Sequence, residues 1–205
     1  MNKGLFITFE GIEGSGKSTQ AIQLAEHLKE RGYSVVVTRE PGGTPIGVAI
    51  RQILLDPAMT NMDYHTEVLL YAADRAQHVA EVIRPSLEKG KIVISDRYID
   101  SSIAYQHFGR GLPLDLIIEI NERAVQGLKP NVTFLLEIPV ELGIERATKV
   151  SADRIERESI EFHKRVEVGY QELARREPER WRVIDGIPMV EEVHQSIVRA
   201  LEVFL

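Results

Sequence analysis

Leu5-Phe6-Ile7-Thr8-Phe9-Glu10, followed at once by Gly11-Ile12-Glu13-Gly14-Ser15-Gly16-Lys17-Ser18 and an amphipathic stretch from Lys17 to Arg31, decides the fold. The first run is nearly all apolar, as a strand buried on both faces of a parallel sheet must be. The second fits G-x-x-x-x-G-K-[ST], a pattern that ordinary residue frequencies would place in roughly 0.7% of chains this long. Each residue type in it has a physical task. The glycines allow positive φ and close approach, so that successive backbone N–H groups converge on phosphate oxygens. The start of the following helix adds the positive end of its dipole. Lys17 brings a mobile charge for β- and γ-phosphates, and the Ser18 hydroxyl suits a magnesium ion. A plain Gly-rich turn is the competing reading, and the strand before and helix after argue against it.

Outward from this loop, short β-rich runs alternate with helical patterns. Strands are expected at Leu5–Glu10, Ser34–Thr38, Lys91–Ser95, Val132–Glu137 and Arg182–Asp185. Helices are expected at Lys17–Arg31, Pro45–Leu55, Tyr64–Glu88, Ile99–Gln106, Leu114–Gly127, Val140–Lys149, Glu156–Arg176 and Val190–Leu205. The alternation predicts an α/β three-layer sandwich, a five-stranded parallel sheet flanked by helices, with ligands beyond the C-terminal strand ends. No repeat or linker divides residues 1–205, so one domain is expected.

Composition narrows the function classes. The chain has 205 residues, a net charge of −6, 43% hydrophobic and 27% charged residues, and no cysteine. Disulfides, thiolate metal sites and cysteine nucleophiles are excluded, and the acidic balance disfavours a nucleic-acid-binding protein. No run of 18 apolar residues marks a membrane span. Leu5–Phe9 is too short for a signal-peptide core, so a cytoplasmic protein is expected. The six histidines show no ligand spacing.

Other segments point to a second anionic ligand. In Thr38-Arg39-Glu40-Pro41-Gly42-Gly43-Thr44-Pro45, Thr44 is a natural helix cap and Pro45 a natural first helical residue, which brings Arg39 to the cleft; a plain connector would read the same way. Tyr71 and Arg75 share a helix face, which suits a ring plus an anion, or a half-buried tyrosine beside a surface Asp–Arg pair. Asp96-Arg97-Tyr98 follows a strand, where a carboxylate facing a phosphate loop organises magnesium. Arg97, Ser101 and Tyr105 recur at four-residue steps. Lys149, Asp153, Arg154, Glu156 and Arg157 form a mixed-charge run broken by Val150-Ser151-Ala152, either a solvated face or a closing lid. A switch GTPase would need N-K-x-D, which is absent.

Phosphate loop, TREPGGT at residues 38–44, YAADR at 71–75, DRY at 96–98 with AYQ at 104–106, and DRIE at 153–156 together resemble the thymidylate kinases, P-loop nucleoside monophosphate kinases, over nearly the whole chain. The resemblance implies transfer of the γ-phosphoryl of ATP to dTMP with Mg²⁺, by a homodimer. It implies that Gly11, Ile12, Glu13, Gly14, Ser15, Gly16, Lys17, Ser18, Thr19 and Arg146 hold ATP, with Arg146 against adenine. Tyr71 would stack on thymine and Arg75 bond its edge, with Ser102 and Gln106 nearby. Arg39 and Arg97 would hold the acceptor phosphate, with Ser101 on the Arg97 face; Tyr105 would crowd the 2′ position, and Glu13 would approach the 3′-hydroxyl. Ser18 and Asp96 would organise the metal; Asp153 and Glu156 would be lid carboxylates within a lid at about residues 147–157. The phosphate loop lacks the arginine that some members carry, so a lid cation, Lys149 or else Arg154, is expected to join Lys17 and Arg97 in catalysis. The alternatives are a related P-loop kinase with another small acceptor, and a nucleotide-binding switch that hydrolyses slowly.

Overall fold

The computed structural model describes residues 4–147 and 152–205. Five strands, β1 (Leu5–Glu10), β2 (Val35–Arg39), β3 (Ile92–Asp96), β4 (Val132–Glu137) and β5 (Trp181–Asp185), form one parallel sheet in the order β2-β3-β1-β4-β5. The apolar runs alternate between its faces with the period of two that the pleat imposes. Ile7 and Phe9 of β1, Ile92 and Ile94 of β3, and Val132, Phe134 and Leu136 of β4 pack against α1 (Lys17–Glu30) and α9 (Val190–Leu201). Phe6 and Val93 face the opposite layer, as does Leu135. Each such side chain contributes about 1.5–3 kcal/mol by leaving water. SVVVT holds three valines in a row, yet β2 is half-exposed, because as an edge strand it pairs only with β3.

The remaining helices are α2 (Pro45–Leu55), α3 (Tyr64–His78), α4 (Arg84–Glu88), α5 (Ile99–Ser102), α6 (Leu114–Val125), α7 (Val140–Ala147) and α8 (Ile160–Arg176). Thr44 caps α2 as its sequence predicts, its Oγ1 accepting from the Gly47 N–H at 3.0 Å. The helix expected over Tyr64–Glu88 is continuous but relaxes into a π-turn at Val79–Ile83. The helix expected to end at Gln106 instead continues as a π-helix over Ile103–Gly109, a local widening that often accompanies function. The last long helix begins at Ile160 rather than Glu156. Ser159 caps it, and Asp153 and Glu156 close a separate turn: Asp153 Oδ1 accepts from the Glu156 N–H, and Glu156 Oε2 from the Asp153 N–H, both at 2.9 Å.

One close approach positions the phosphate loop. Gly14 (φ 71°) lies against Gly143 of α7; a Cβ on Gly143 would stand 2.6 Å from the Glu13 carbonyl oxygen and 2.9 Å from Ile12 Cδ1. Only hydrogen fits between loop and helix there. Gly143→Ala should therefore lower stability by about 1–3 kcal/mol and raise KM for the phosphate donor, because the loop backbone itself must move. A melting curve and donor titration showing neither change would contradict this packing.

Candidate active site

A cavity of about 250 Å³ opens at the C-terminal ends of β1, β2 and β3, beside the phosphate loop. Parallel strands bring these ends together, so residues far apart in sequence face one space. Glu13, Arg39, Tyr71, Arg75 and Arg97 line it, and so do Ser101, Ser102, Tyr105, Gln106 and Glu156. Every residue expected to touch the acceptor is therefore on one wall or another. Lys17, Ser18, Asp96 and Asp153 share the cavity.

The phosphate loop has the backbone its glycines predict, with φ of 136° at Gly11, 71° at Gly14 and 93° at Gly16. Lys17 Nζ donates to the Ile12 carbonyl at 2.7 Å and to Ser15 Oγ at 3.2 Å. Burial, helped by the neighbouring Arg97 charge, pulls the Lys17 ammonium down to about 8. Ser18, at the first turn of α1, donates its hydroxyl hydrogen to Asp96 at the end of β3. A hydroxyl and a carboxylate in contact at a phosphate loop form the small oxygen set that suits Mg²⁺, which keeps most of its shell as water and phosphate. Thr19 is exposed on α1. Arg146 of α7 stands beside Gly14 but outside the cavity, and the chain at Gly186, after β5, passes near Ser15. The loop is thus flanked by Arg146 and by the segment after β5.

Arg97 is the centre of one wall of the cavity. It is one of two non-glycine residues at positive φ (73°) among the described residues, a conformation costing about 1–3 kcal/mol. Three bonds hold it: the Arg97 N–H to the Phe9 carbonyl at 2.9 Å, Ser95 Oγ to the Arg97 carbonyl at 2.8 Å, and the Tyr98 N–H to Glu10 Oε1 at 2.8 Å. Its guanidinium donates to Glu13 (3.0 Å), Tyr105 Oη (3.1 Å), Tyr170 Oη (2.9 Å), Ser101 Oγ (3.2 Å) and the Gly11 carbonyl (3.0 Å). The four-residue steps from Arg97 thus converge as the sequence predicts. Burial pushes the Tyr105 and Tyr170 phenols well up, so both stay protonated and donate to Glu13 and Glu10 respectively. Burial would raise Glu13 too, but Arg97, Lys17 and Tyr105 outweigh it and hold its carboxyl below the ordinary range.

Arg75 is more committed than its spacing suggests. It is fully buried, donating to Glu40 (2.7 Å), Ser102 (2.8 Å), Asn121 and the Tyr98 carbonyl (2.9 Å), so one N–H remains for a ligand. The surface Asp–Arg pair is excluded, since Asp74 is buried as well and accepts from the Gly42 N–H at 2.9 Å. Arg39 is the opposite: exposed at the cavity mouth, with no partner for its guanidinium among the described residues. Arg154 does not line the cavity. It is buried, its Nε donating to the Leu54 carbonyl at 2.7 Å and its Nη2 pairing with Glu67 at 2.7 Å, so its charge is taken up away from the phosphate loop. Lys149, the other expected lid cation, lies outside the described residues, as do residues 148–151 of the expected lid.

Among the cavity residues, sequence reasoning missed Arg51 and Leu55 of α2 and Glu40 at the end of β2. Arg51 is the one charge in the otherwise apolar PIGVAIRQILL, a readable signal, with Leu55 one turn on. Glu10 and Tyr170 were missed because their roles come from partners 91 and 160 residues away.

The thymidylate kinase family profile matches residues 9–197. The chain belongs to the thymidylate kinase family. It is 53% identical to a thymidylate kinase of Halothermothrix orenii over 199 residues, 95% of each chain. It is 50% identical to one of Symbiobacterium thermophilum, covering 97% of this chain and 92% of that one. The crystal structure of thymidylate kinase from Ehrlichia chaffeensis superposes with a TM-score of 0.82 at 36% identity, covering 98% and 100% of the two chains. The kinase is an ATP-dependent phosphotransferase, and among its described residues no helix is long and apolar enough to cross a membrane.

Glu10 gives this site a pH dependence. Burial, then the Asp100 charge, pushes its carboxyl from 4.5 up to about 7. The folded kinase holds a proton that the unfolded chain has released between those values, so this contribution to stability falls as pH rises from about 5 to 8. The melting temperature of the wild type should drop relative to Glu10→Gln over that range; a constant difference would refute the assignment.

Proposed function

We propose that the kinase transfers the γ-phosphoryl group of ATP to dTMP, giving dTDP and ADP, as one catalytic domain with a lid at about residues 147–157. The observation that carries this reading is the single cavity in which all ten expected acceptor residues meet beside Lys17. Tyr71 offers a ring for thymine, with Gln106 and the free N–H of Arg75 at the base edge. Tyr105 and Glu13 face the sugar, with Glu156 across from them; Arg39 and Arg97 take the phosphate. Gly11 to Thr19 cradle the donor phosphates, and Arg146 lies against adenine.

The attacking atom is an acceptor phosphate oxygen, already ionised at neutral pH, so no general base is needed. It forms a bond to the γ-phosphorus while the bond to the β-phosphate oxygen breaks and ADP leaves. In-line placement and cationic charge do the work. Ser18 and Asp96 would hold Mg²⁺, which supplies charge against the β- and γ-phosphates when bound. Arg97 can turn from Glu13 to the acceptor phosphate, offsetting repulsion between two anions. With Arg154 engaged by Glu67, Lys149 is left as the lid cation in this reading.

The enzyme is taken to be cytoplasmic, without nucleic-acid or membrane partners, and a homodimer. In the Val68–Tyr71 segment, Val68 is core, while Leu69 is 55% exposed, and α2 and α6, which pack on α3, expose Ile46 (54%), Val48 (47%) and Ile118 (40%). A dimer through this surface should sediment as a monomer after Leu69→Arg.

The primary test is acceptor-dependent ADP release with Mg-ATP, comparing dTMP, dUMP, UMP, AMP and no acceptor. Turnover with dTMP well above all others is expected; equal slow hydrolysis throughout would favour the switch reading. Lys17→Ala and Arg97→Ala should each lower kcat/KM about a hundredfold or more. A near-normal Arg97→Ala enzyme would overturn the acceptor-phosphate role. Lys149→Ala should lower kcat more than it weakens ATP binding.

A further inference from the structure

Glu67 sits on α3 one turn before Tyr71, fully buried, and four nitrogens of three residues, from the π-helix end and the DRIE turn, converge on its carboxylate. Gln106, which lines the cavity, donates its Nε2 hydrogen at 3.0 Å; Arg110 donates from Nε at 3.2 Å and Nη2 at 3.1 Å. Arg154 of the DRIE turn pairs through Nη2 at 2.7 Å. Arg154 also binds the C-terminal end of α2, where carbonyls have no intrahelical partner: its Nε reaches the Leu54 carbonyl at 2.7 Å, and its N–H the Leu55 carbonyl at 3.1 Å. Arg110 closes the arrangement by donating to Glu158 at 2.6 Å, with its guanidinium over the rings of Tyr64 and Phe162.

Two carboxylates and two guanidiniums balance one another here. The DRIE turn, which supplies Asp153, Ile155 and Glu156 to the cavity, is docked to the core through the Leu54 and Leu55 carbonyls, the buried Ile155 and the Arg154–Glu67 ion pair. That carboxylate is also bonded to Gln106, beside the pocket wall assigned to the base. We propose that Glu67 is a positioning residue for the transfer: it latches the lid, through Arg154, to the wall of the pocket that Tyr71 and Gln106 form. The inference rests on the reading of that wall as the thymine site. It turns Arg154 from a charge aimed at the moving phosphoryl group into the bolt of the lid. It also makes acceptor binding and lid docking mutually reinforcing, since coupling between two sites is reciprocal. Without Glu67, two buried guanidiniums would be left with one half-exposed carboxylate between them, and the turn would be held only by the Leu54 and Leu55 carbonyls and Ile155.

The test uses the full-length Glu67→Gln and Arg154→Met variants, with melting curves to establish folding. Hydrogen exchange of the backbone amides of residues 152–158 is followed with and without dTMP, alongside steady-state kinetics. The expected result is lid exchange faster by about tenfold or more in both variants. KM for dTMP should rise about tenfold while kcat stays within about threefold and KM for ATP is unchanged. Arg154→Lys, which keeps the charge, should regain part of the dTMP affinity. Unchanged lid exchange would overturn the proposal. So would a large fall in kcat at constant KM for dTMP, which would return Arg154 to the phosphoryl group. A merely structural role would lower the melting temperature and active fraction and leave KM alone. If Glu67→Gln fails to fold, Arg154→Met breaks the same pair from the lid side. Absence of dTMP turnover in the wild type would instead refute the proposed reaction, and the ligand-free exchange comparison would still decide the latch.

Discussion

A guanidinium out of bulk water must find partners, and one wall of the cavity is arranged around that demand at Arg97. Glu13 comes from the phosphate loop, Tyr105 from the π-helix after β3, and Tyr170 from α8; all meet on this one fork. Glu10 lies beneath and holds both Tyr170 and the backbone just after Arg97. The left-handed backbone at Arg97 is the geometric consequence: it turns the side chain from the strand end back over the loop. Removing one member of this half-buried set leaves a charge short of compensation. The same groups that secure the fold therefore stand ready to exchange partners with an anionic ligand.

A second demand of the same kind organises α3. Arg75 is enclosed by Glu40, Ser102 and Asn121, while Glu67, one turn before Tyr71, gathers Arg110 and Arg154. These clusters tie β2, the π-helix, α6 and the DRIE turn to one helix. A site that must bind two anions is thereby built from charges that are mostly neutralised within the protein. Among the described residues Arg39, exposed at the cavity mouth with no partner for its guanidinium, is an exception.

How far the sequence could be read depended on the range of the interaction involved. The phosphate loop, the Thr44–Pro45 helix start and the Arg97–Ser101–Tyr105 face are local patterns, and each is found in place. That β2 is half-exposed could not be read from its run, because apolarity does not distinguish a central strand from an edge. The helix after Asp96 was ended too soon because a π-turn leaves no clear periodic signature. The resemblance offered Arg154 as the alternative to Lys149 for the lid cation; no local pattern shows that it is buried against Glu67, 87 positions earlier in the chain.

By itself the sequence determined the strand–loop–helix order, the parallel sheet and the chemical types gathered at its C-terminal edge. Those follow from residue periodicity and from turn and cap chemistry, which act over a few residues. Only the tertiary structure decided which charges stay available and which are consumed in pairs. It left Arg39 free, enclosed Arg75, made Glu10 a buried support and turned Arg154 toward Glu67. Desolvation is the reason: a side chain's charge is set by its type, but what that charge can do is set by the partners that burial forces on it.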